Sequence, residues 1–355
     1  MQFKKLQQGL TLIELMIAMV LGLLLIAGIS QVFVSNQQSY RVTEEQSRLQ
    51  ENARFSFEFL TRDIREAGYS GCRVIEQMNV QNVANAPIPG FSAQSTINGN
   101  EATGASPAVW GPALDASIAG TVIAGTDVIT LQKGSSCGAT LVGNLSSSNA
   151  NIQVASPNSC GLTAGDALMI ADCEDAHIFR ATNVSSGGTQ TIAHGSSQNT
   201  GTHFCNNQAG IGTGSCGTGN AKLYGSDAEL LKFSSLTYYV RLGAGGRNSL
   251  WVYDNTKATN AFNPMELVEG VENMQVQYGL DTTGNDIVDS YQGASSIGSW
   301  DEVVSAEISL LLETQDNNLT TTNQMYTYDG ATVTAADRRI RRVFTTTISI
   351  RNRVQ

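Results

Sequence analysis

A single carboxylate inside a long apolar stretch near the N-terminus constrains this chain more than any other feature. From Leu10 to Val34 the only charged residue is Glu14, and Lys4 and Lys5 precede the stretch. As a helix, these 25 residues would extend about 37 Å, enough to cross a hydrocarbon core of roughly 30 Å. An acid within that core costs roughly 2.5 to 3.5 kcal/mol, so we expect Glu14 to have a counter-ion or a function that offsets the cost.

The charges around the stretch predict its orientation. Lysines precede it and the next basic residue is Arg41, so the positive-inside rule keeps the N-terminus cytoplasmic and exports the rest. A secretory signal would have a shorter apolar core and a small-residue cleavage site. A plain single-pass anchor would explain the length and the lysines. Neither alternative accounts for Glu14.

The segment Gly9-Leu10-Thr11-Leu12-Ile13-Glu14-Leu15 resembles the prepilin signal of type IV pilins and type II pseudopilins. The resemblance implies that a prepilin peptidase cuts between Gly9 and Leu10 and methylates the new amine of Leu10, and that Glu14 is the family's fifth-position glutamate. Residues i and i+4 share a helix face, so this ammonium can neutralise Glu14 within one chain. When helices pack with an axial offset, the amine of an incoming subunit can instead meet Glu14 of its neighbour. Glu14 is therefore predicted to determine assembly.

Beyond the apolar stretch the pattern is that of an amphipathic helix. Apolar residues recur at helical spacing as far as Ala67, and Gly68 follows as a stop signal. We therefore predict one helix from Leu10 to Ala67. The stretch from Arg48 to Phe55, continuing from Asp63 to Cys72, resembles the helix end of the PilW-type minor pilins, low-abundance pilins of the fibre tip that are related to the J-type minor pseudopilins.

These patterns divide the chain into a leader peptide (residues 1–9), a transmembrane or fibre-core helix (10–34), an amphipathic helix continuing into the head (35–71) and a periplasmic head (72–355). The head is rich in Gly, Ser, Thr and Asn, and its apolar residues alternate, which predicts strands. The predicted fold class is α+β and pilin-like, with a long N-terminal helix packed on an antiparallel β-rich head that contains disulfides.

The late strands of the head are expected to form the antiparallel sheet that pilin folds lay across the helix. Residues 81–120 and 185–219 have few large apolar side chains and are predicted to be loops or an inserted subdomain. The predicted strands are 128–131, 165–170, 177–180, 236–242, 250–253, 274–278, 304–310 and 344–350.

All six cysteines follow the apolar stretch: Cys72, Cys137, Cys160, Cys173, Cys205 and Cys216. An even number in an oxidising compartment predicts a disulfide framework whose pairing the sequence does not resolve. One bridge, Cys205–Cys216, is suggested because the two residues flank a glycine-rich loop. No CxxC pair or His/Cys zinc spacing occurs, which argues against a metal site at the cysteines.

The head shows no GxSxG, HExxH or P-loop motif, so no enzyme activity and no cofactor are expected. Three histidines lie in different segments without ligand spacing and are expected at the surface or in loops: His177, His194 and His203. An acidic loop is either a plain hairpin turn or a weak calcium site that lacks the EF-hand spacing. Its candidate ligands are Asp281, Asn285, Asp286 and Asp289.

A net charge of −10 argues against a general nucleic-acid binder, and no nucleic-acid partner is expected. The basic cluster of the chain flanks the last predicted strand and is expected to be solvated or paired with local acids, with DNA capture at a fibre tip as an alternative. Its arginines are Arg338, Arg339, Arg341, Arg342, Arg351 and Arg353.

The resemblance implies a structural role. The chain is expected to insert in the inner membrane with a cytoplasmic N-terminus and a periplasmic head. After cleavage it would join other minor pilins and the major pilin in a priming complex, and then lie at the pilus tip on the cell surface, where a tip adhesin is a further conceivable partner. Two alternatives stay open: a type II secretion minor pseudopilin, and a recognition module or tip adhesin whose head binds a surface or a glycan.

Overall fold

One long α-helix forms the N-terminal part of the computed structural model, which describes residues 11–73, 75–92, 94–105, 108–185, 187–207, 210–212 and 214–353. This helix, α1, spans Leu12–Arg65. Thr11 caps its start, since the Thr11 hydroxyl accepts a hydrogen bond from the Glu14 N–H. The helix therefore begins two residues later than predicted, because the capping residue itself has an extended conformation.

The other end of α1 is fixed by the turn into the head. Glu66 is the C-terminal cap, and Gly68 adopts a φ of +78°, a left-handed conformation that favours glycine. The Gly68 N–H then donates to the Gln132 carbonyl at 2.9 Å. The helix ends at Arg65 rather than Ala67 because the chain has already turned towards this sheet partner.

Eighteen strands follow α1 in the described part of the chain. The first nine are β1 (Asn79–Asn82), β2 (Ile97–Ala105), β3 (Ala108–Gly111), β4 (Val128–Thr140), β5 (Ile152–Ala155), β6 (Ala167–Ala171), β7 (Asp175–Arg180), β8 (Asn183–Val184) and β9 (Thr189–Ala193). The others are β10 (Glu229–Leu242), β11 (Asn248–Asp254), β12 (Met265–Glu269), β13 (Val271–Leu280), β14 (Ser290–Gln292), β15 (Val303–Glu313), β16 (Met325–Tyr328), β17 (Ala331–Thr334) and β18 (Arg341–Ser349). Short 3-10 turns are formed by Ile75–Gln77, Ala294–Ser296 and Trp300–Glu302.

The larger of the two main sheets has the strand order β1-β7-β6-β10-β4-β2-β3, with β11 and β12 added beside β10. The central strand β10 pairs with β4 on one side, and with β6 and then β11 on the other. All pairs are antiparallel except β1 with β7. The predicted strands 165–170 and 177–180 correspond to β6 and β7, and those at 236–242 and 250–253 to β10 and β11, and each two are paired as antiparallel neighbours.

The second main sheet has the order β14-β13-β15-β18 and is antiparallel throughout. Its three long strands are the late strands that the sequence predicts, and their alternating side chains face α1. The first hydrophobic core joins buried residues of the helix, such as Leu60 and Ile64, to Ile308 and Leu310 of β15 and to Ile348 of β18. The helix is thus held by the last strands of the chain, as the alternation predicts.

Two further cores lie away from most of the helix, and their buried members fall between Ile75 and Phe233. Three disulfides staple this part of the head. They join Cys72 to Cys173, Cys137 to Cys160, and Cys205 to Cys216. The last of these is the bridge that the sequence suggested.

The prediction that residues 81–120 are loops or a subdomain is wrong for β2 and β3, which extend the larger sheet beside β4. The strand was missed because small residues replace large apolar ones where it approaches other strands closely. Gly99 lies against Tyr278, and a Cβ at this position would overlap the tyrosine hydroxyl. Residues 185–219 are mostly irregular, as predicted, apart from β9.

Candidate functional site

The N-terminal half of α1 packs against no other part of the described chain. Its large apolar side chains from Leu12 to Val34 are between 46% and 77% exposed. These residues extend about 35 Å. The helix is the one in the described residues that is long and apolar enough to cross a membrane, with a mean hydropathy of 2.7 in its most apolar window. So much exposed apolar surface marks a site for lipid or for other helices.

Glu14 is the only charged side chain on this bare half of α1 in the described residues. It is exposed, and its N–H donates to the Thr11 hydroxyl at 3.2 Å. Threonine followed three residues later by glutamate is the pattern of a capping box, which satisfies N–H groups at the start of a helix. Gly9 and Leu10, the predicted cleavage and methylation residues, lie outside the described residues.

The helix enters the head near Gln38. The side-chain amide of Gln38 donates to the Leu319 carbonyl at 3.3 Å, and Arg41 forms an ion pair with Asp316 at 2.8 Å. One turn further on, the buried Glu45 accepts a hydrogen bond from the Asp316 N–H at 3.0 Å. The loop after β15 therefore binds α1 just beyond its exposed N-terminal half.

A buried charge network attaches the C-terminal end of α1 to the head. Asp63 accepts hydrogen bonds from the Lys133 ammonium of β4 at 2.8 Å, from Arg62 at 3.0 Å and from the Tyr238 hydroxyl of β10. Burial raises the pKa of Asp63, but these three donors outweigh it and hold the pKa below its usual range. Tyr238 is affected in the opposite sense, because burial and the neighbouring Asp63 charge raise its pKa. The network locks α1 to the larger sheet.

The prediction of a surface or loop position is wrong for His177. It lies in β7 and is fully buried, and Nε2 donates to the Cys205 carbonyl at 2.9 Å while Nδ1 accepts from the Tyr224 hydroxyl at 2.6 Å. A carbonyl can only accept, which fixes this tautomer. Burial lowers the pKa of His177 to about 4. The prediction was wrong because β7 is buried on both faces, so no position between Asp175 and Phe179 brings a side chain to the surface.

The other two histidines also make packing or hydrogen-bond contacts within the head. His194 follows β9 in a loop, as predicted, but it is buried and stacks on Phe204 with ring centroids 4.5 Å apart. His203 is half-buried, and its Nδ1 lies 2.9 Å from the Ser148 hydroxyl. The three histidines thus support the core around the Cys205–Cys216 bridge.

The acidic loop connects β13 to β14, which form a hairpin. The Asp281 carboxylate accepts hydrogen bonds from four backbone N–H groups of residues 283–286, and Asp289 accepts from Thr282 and Thr283. Desolvation raises the pKa of Asp281, but the hydrogen bonds from the loop amides together outweigh it and hold the pKa below its usual range. Because these amides occupy the carboxylate oxygens, the contacts favour the hairpin turn over the calcium site formed with Asn285 and Asp286. The described residues contain no group of three or more His, Cys, Asp or Glu placed to hold a metal ion.

The predicted basic cluster is dispersed. Arg341 is buried and forms ion pairs with Glu272, Glu313 and Asp337, and Arg339 pairs with Asp337 as well. Two other arginines donate hydrogen bonds to different parts of the head. Arg338 donates to the Asn318 side chain, and Arg353 donates to the Val303 carbonyl. Arg342 and Arg351 are exposed.

Two family models match the chain. One, described as Type IV Pilus-assembly protein W, matches residues 237–352, and the other, described as Prokaryotic N-terminal methylation motif, matches residues 4–30. No curated protein matches. Among solved structures the chain is similar to a type IV-like pilin from Thermus thermophilus, with 14% identity, 35% of this chain and 67% of that chain covered, and a TM-score of 0.22.

The first match falls on the strands that hold the helix, from the second half of β10 to β18. The resemblance inferred from the sequence rested instead on the helix end between Arg48 and Cys72. The second match covers the predicted cleavage segment and most of the bare half of α1.

Proposed function

We propose that this chain is a PilW-type minor pilin of the type IV pilus, a structural rather than enzymatic role, and the two family matches support this. Its N-terminus would be processed, and it would join other minor pilins in the complex that starts pilus assembly. The leader would be cut between Gly9 and Leu10 and the Leu10 amine methylated. The head would then lie in the periplasm and later at or near the pilus tip.

The strongest support for this proposal is that the N-terminal half of α1 exposes its apolar side chains along its whole length. A stretch of about 35 Å with a single acid needs a membrane before assembly and a bundle of similar helices afterwards. Among the described residues, the head contacts the helix only from about Gln38 onwards. The bare half is therefore free to move from lipid to protein without disturbing the packing of the head.

Glu14 supplies the register in this proposal. An acid in an apolar bundle costs several kcal/mol unless it is paired, so subunits are favoured at the axial offset that brings a terminal ammonium to each Glu14. The exposed position of Glu14 on the bare helix is compatible with such a contact. Three disulfides in the head fit export into an oxidising compartment.

The test compares Glu14→Ala with Glu51→Ala, which removes an exposed acid from the part of the same helix that lies along the head. We expect both variants to insert in the membrane with intact disulfides, and only Glu14→Ala to lose co-purification with other minor pilins and pilus formation. Mass spectrometry should find a mature N-terminus at a methylated Leu10. Normal pilus formation by Glu14→Ala, or a mature chain that keeps Met1, would contradict the proposal.

A further inference from the structure

The last strand of the chain leaves one edge of the second main sheet open. β18 pairs with β15 in an unbroken register from Ser305 opposite Ser349 to Glu313 opposite Arg341. No described strand pairs with its other edge. An unpaired strand edge presents a row of N–H and C=O groups that can bind another strand.

The hydrogen bonds at the two ends of β18 show which residues face this edge. The Ile350 N–H donates to the Val304 carbonyl, and the Thr314 N–H donates to the Ile340 carbonyl, each at 2.9 Å. Both pairs continue the β15–β18 register, so even-numbered residues of β18 direct their backbone groups towards β15. Bonding direction alternates along a strand. The odd-numbered residues Val343, Thr345, Thr347 and Ser349 therefore direct their N–H and C=O groups outwards.

The chain covers both ends of this edge and leaves the middle open, since the outward N–H of Arg351, just past the segment, donates to the Arg65 carbonyl of α1 at 3.2 Å. The Gln324 side chain acts as a substitute strand at the beginning of the edge, because its amide NH2 donates to the Arg341 carbonyl at 2.9 Å and its oxygen accepts from the Arg341 N–H at 2.7 Å. In the described part of the chain, no hydrogen bond engages the outward backbone groups of Val343, Thr345 or Thr347. The open edge thus begins where Gln324 ends.

Natural edge strands usually carry a lysine, a proline, a bulge or a covering element that prevents association. The segment from Val343 to Ser349 has no charge and no proline, and its pairing with β15 has no bulge. Its outward residues are exposed, and three consecutive threonines favour the extended conformation. About 23 Å of strand edge is therefore ready to pair.

Exposed arginines lie at both ends of the open edge, although the chain as a whole has a net charge of −10 and Glu307 accepts a hydrogen bond from the Thr347 hydroxyl in its middle. Exposed Arg342 lies before the segment and exposed Arg351 follows it. Arg351 also lines a cavity of about 610 Å³ in which arginines outnumber carboxylates, the charged lining residues being Arg54, Glu58, Arg62, Arg65, Glu66 and Arg351. An added strand with carboxylates at its ends would complement these arginines, while pairing of two copies of β18 would bring arginines together, which is unfavourable.

We propose that the outer edge of β18, from Val343 to Ser349, accepts an extended segment of a different polypeptide that carries acidic residues at its ends, and that this segment becomes the fifth strand of the sheet. Main-chain hydrogen bonds would supply the affinity and the flanking arginines the preference for acidic ends. Within the proposed pilus function, this edge is a contact to another protein that does not use the N-terminal helix.

The probe is a short synthetic peptide of alternating valine and threonine with a glutamate at each end, added to the full chain in detergent. Thr345→Pro removes one outward N–H, and an edge strand tolerates proline in this orientation. Thr345→Val keeps the N–H and the branched side chain. We expect wild type and Thr345→Val to bind the peptide equally, and Thr345→Pro to bind it at least about tenfold more weakly.

Two further measurements keep the test decisive if Thr345→Pro misfolds. Peptide binding should slow hydrogen exchange at the Thr345 and Thr347 amides and leave Thr346, which already bonds to β15, unchanged. The double variant Arg342→Glu, Arg351→Glu should prefer a peptide with lysine ends. No binding to wild type at millimolar peptide, or equal binding by the folded proline and valine variants, would overturn the proposal. Because the assay involves neither cleavage nor Glu14, its failure is distinct from failure of the pilin assignment.

Discussion

Replacing Lys133 by methionine tests whether the buried network at the end of α1 holds the helix to the head. The Lys133 side chain is 8% exposed and that of Asp63 is 1% exposed, so both charges have lost most of their water. Methionine has a similar shape and cannot donate. The substitution would leave the Asp63 carboxylate buried with only Arg62 and Tyr238 as donors.

The expected loss follows from that imbalance. Removing one partner of a buried ion pair costs about 3 to 5 kcal/mol, because the remaining charge stays buried without compensation. Arg62 is mostly exposed, but it remains 3.0 Å from Asp63 and compensates part of the buried charge. We therefore place the loss in unfolding free energy near the lower end, at about 3 kcal/mol. Replacing both partners, as in Asp63→Leu with Lys133→Met, should recover about 2 kcal/mol of that loss, because no uncompensated charge remains.

Urea unfolding of the full chain in detergent, followed by tryptophan fluorescence, measures these differences. Trp300 packs against Tyr278 in the first core and reports on the sheet that carries the helix. The matched control is Lys232→Met, which removes an ion pair to Asp166 at 3.3 Å whose lysine is 39% exposed. That pair should contribute less than about 1 kcal/mol. The reasoning is refuted if Lys133→Met costs no more than Lys232→Met, or if the double variant is less stable than Lys133→Met alone.

Two further predictions concern the part of the head between α1 and β10. The pKa of His177 falls from 6.5 to about 4 on folding, so its contribution to stability is complete above pH 6.5 and is lost as the pH falls towards 4, by about 3 kcal/mol in total. The difference in unfolding free energy between wild type and His177→Gln should shrink over that pH range, and a constant difference would show that the imidazole is not buried as a neutral group. Replacing Cys72 and Cys173 by serine opens a loop of sequence separation 101 and should cost about 4 to 5 kcal/mol. The same change at Cys205–Cys216, separation 11, should cost about 3 kcal/mol, and the reverse order in urea unfolding would contradict the loop-entropy argument.

The periodicity of apolar residues was sufficient to predict those elements whose packing repeats a local pattern. The apolar stripe of α1 and the alternation of β13, β15 and β18 each repeat a local pattern, and these elements form the first core. The same signal could not show that Lys133 reaches Asp63, because this contact joins residues 70 positions apart and depends on how the helix crosses β4. The available signal was a lysine two positions past the predicted strand 128–131.

The open edge of β18 could not be predicted from its sequence either. Alternation indicates a strand but does not say whether one or both of its edges are paired. That distinction depends on sheet order, and here also on Gln324, a loop residue that covers Arg341 and nothing beyond it. Similarly, the glycine that lets β2 pass close to Tyr278 reads as a turn signal in the sequence.

The family match and the disulfides fall on different parts of the head, and this division has a physical consequence. Apart from the helix and four residues, every buried member of the first core lies in the matched residues 237–352, which contain no cysteine; the four are Ala67, Ile97, Ile129 and Leu131. The other two main cores lie before them, in the part of the head that contains all three bridges. The unit that positions the helix is therefore stabilised by packing, whereas the preceding part of the head depends on cross-links as well. Strands β4 and β10 contribute residues to both parts, so they join the cross-linked part of the head directly to the unit that holds the helix.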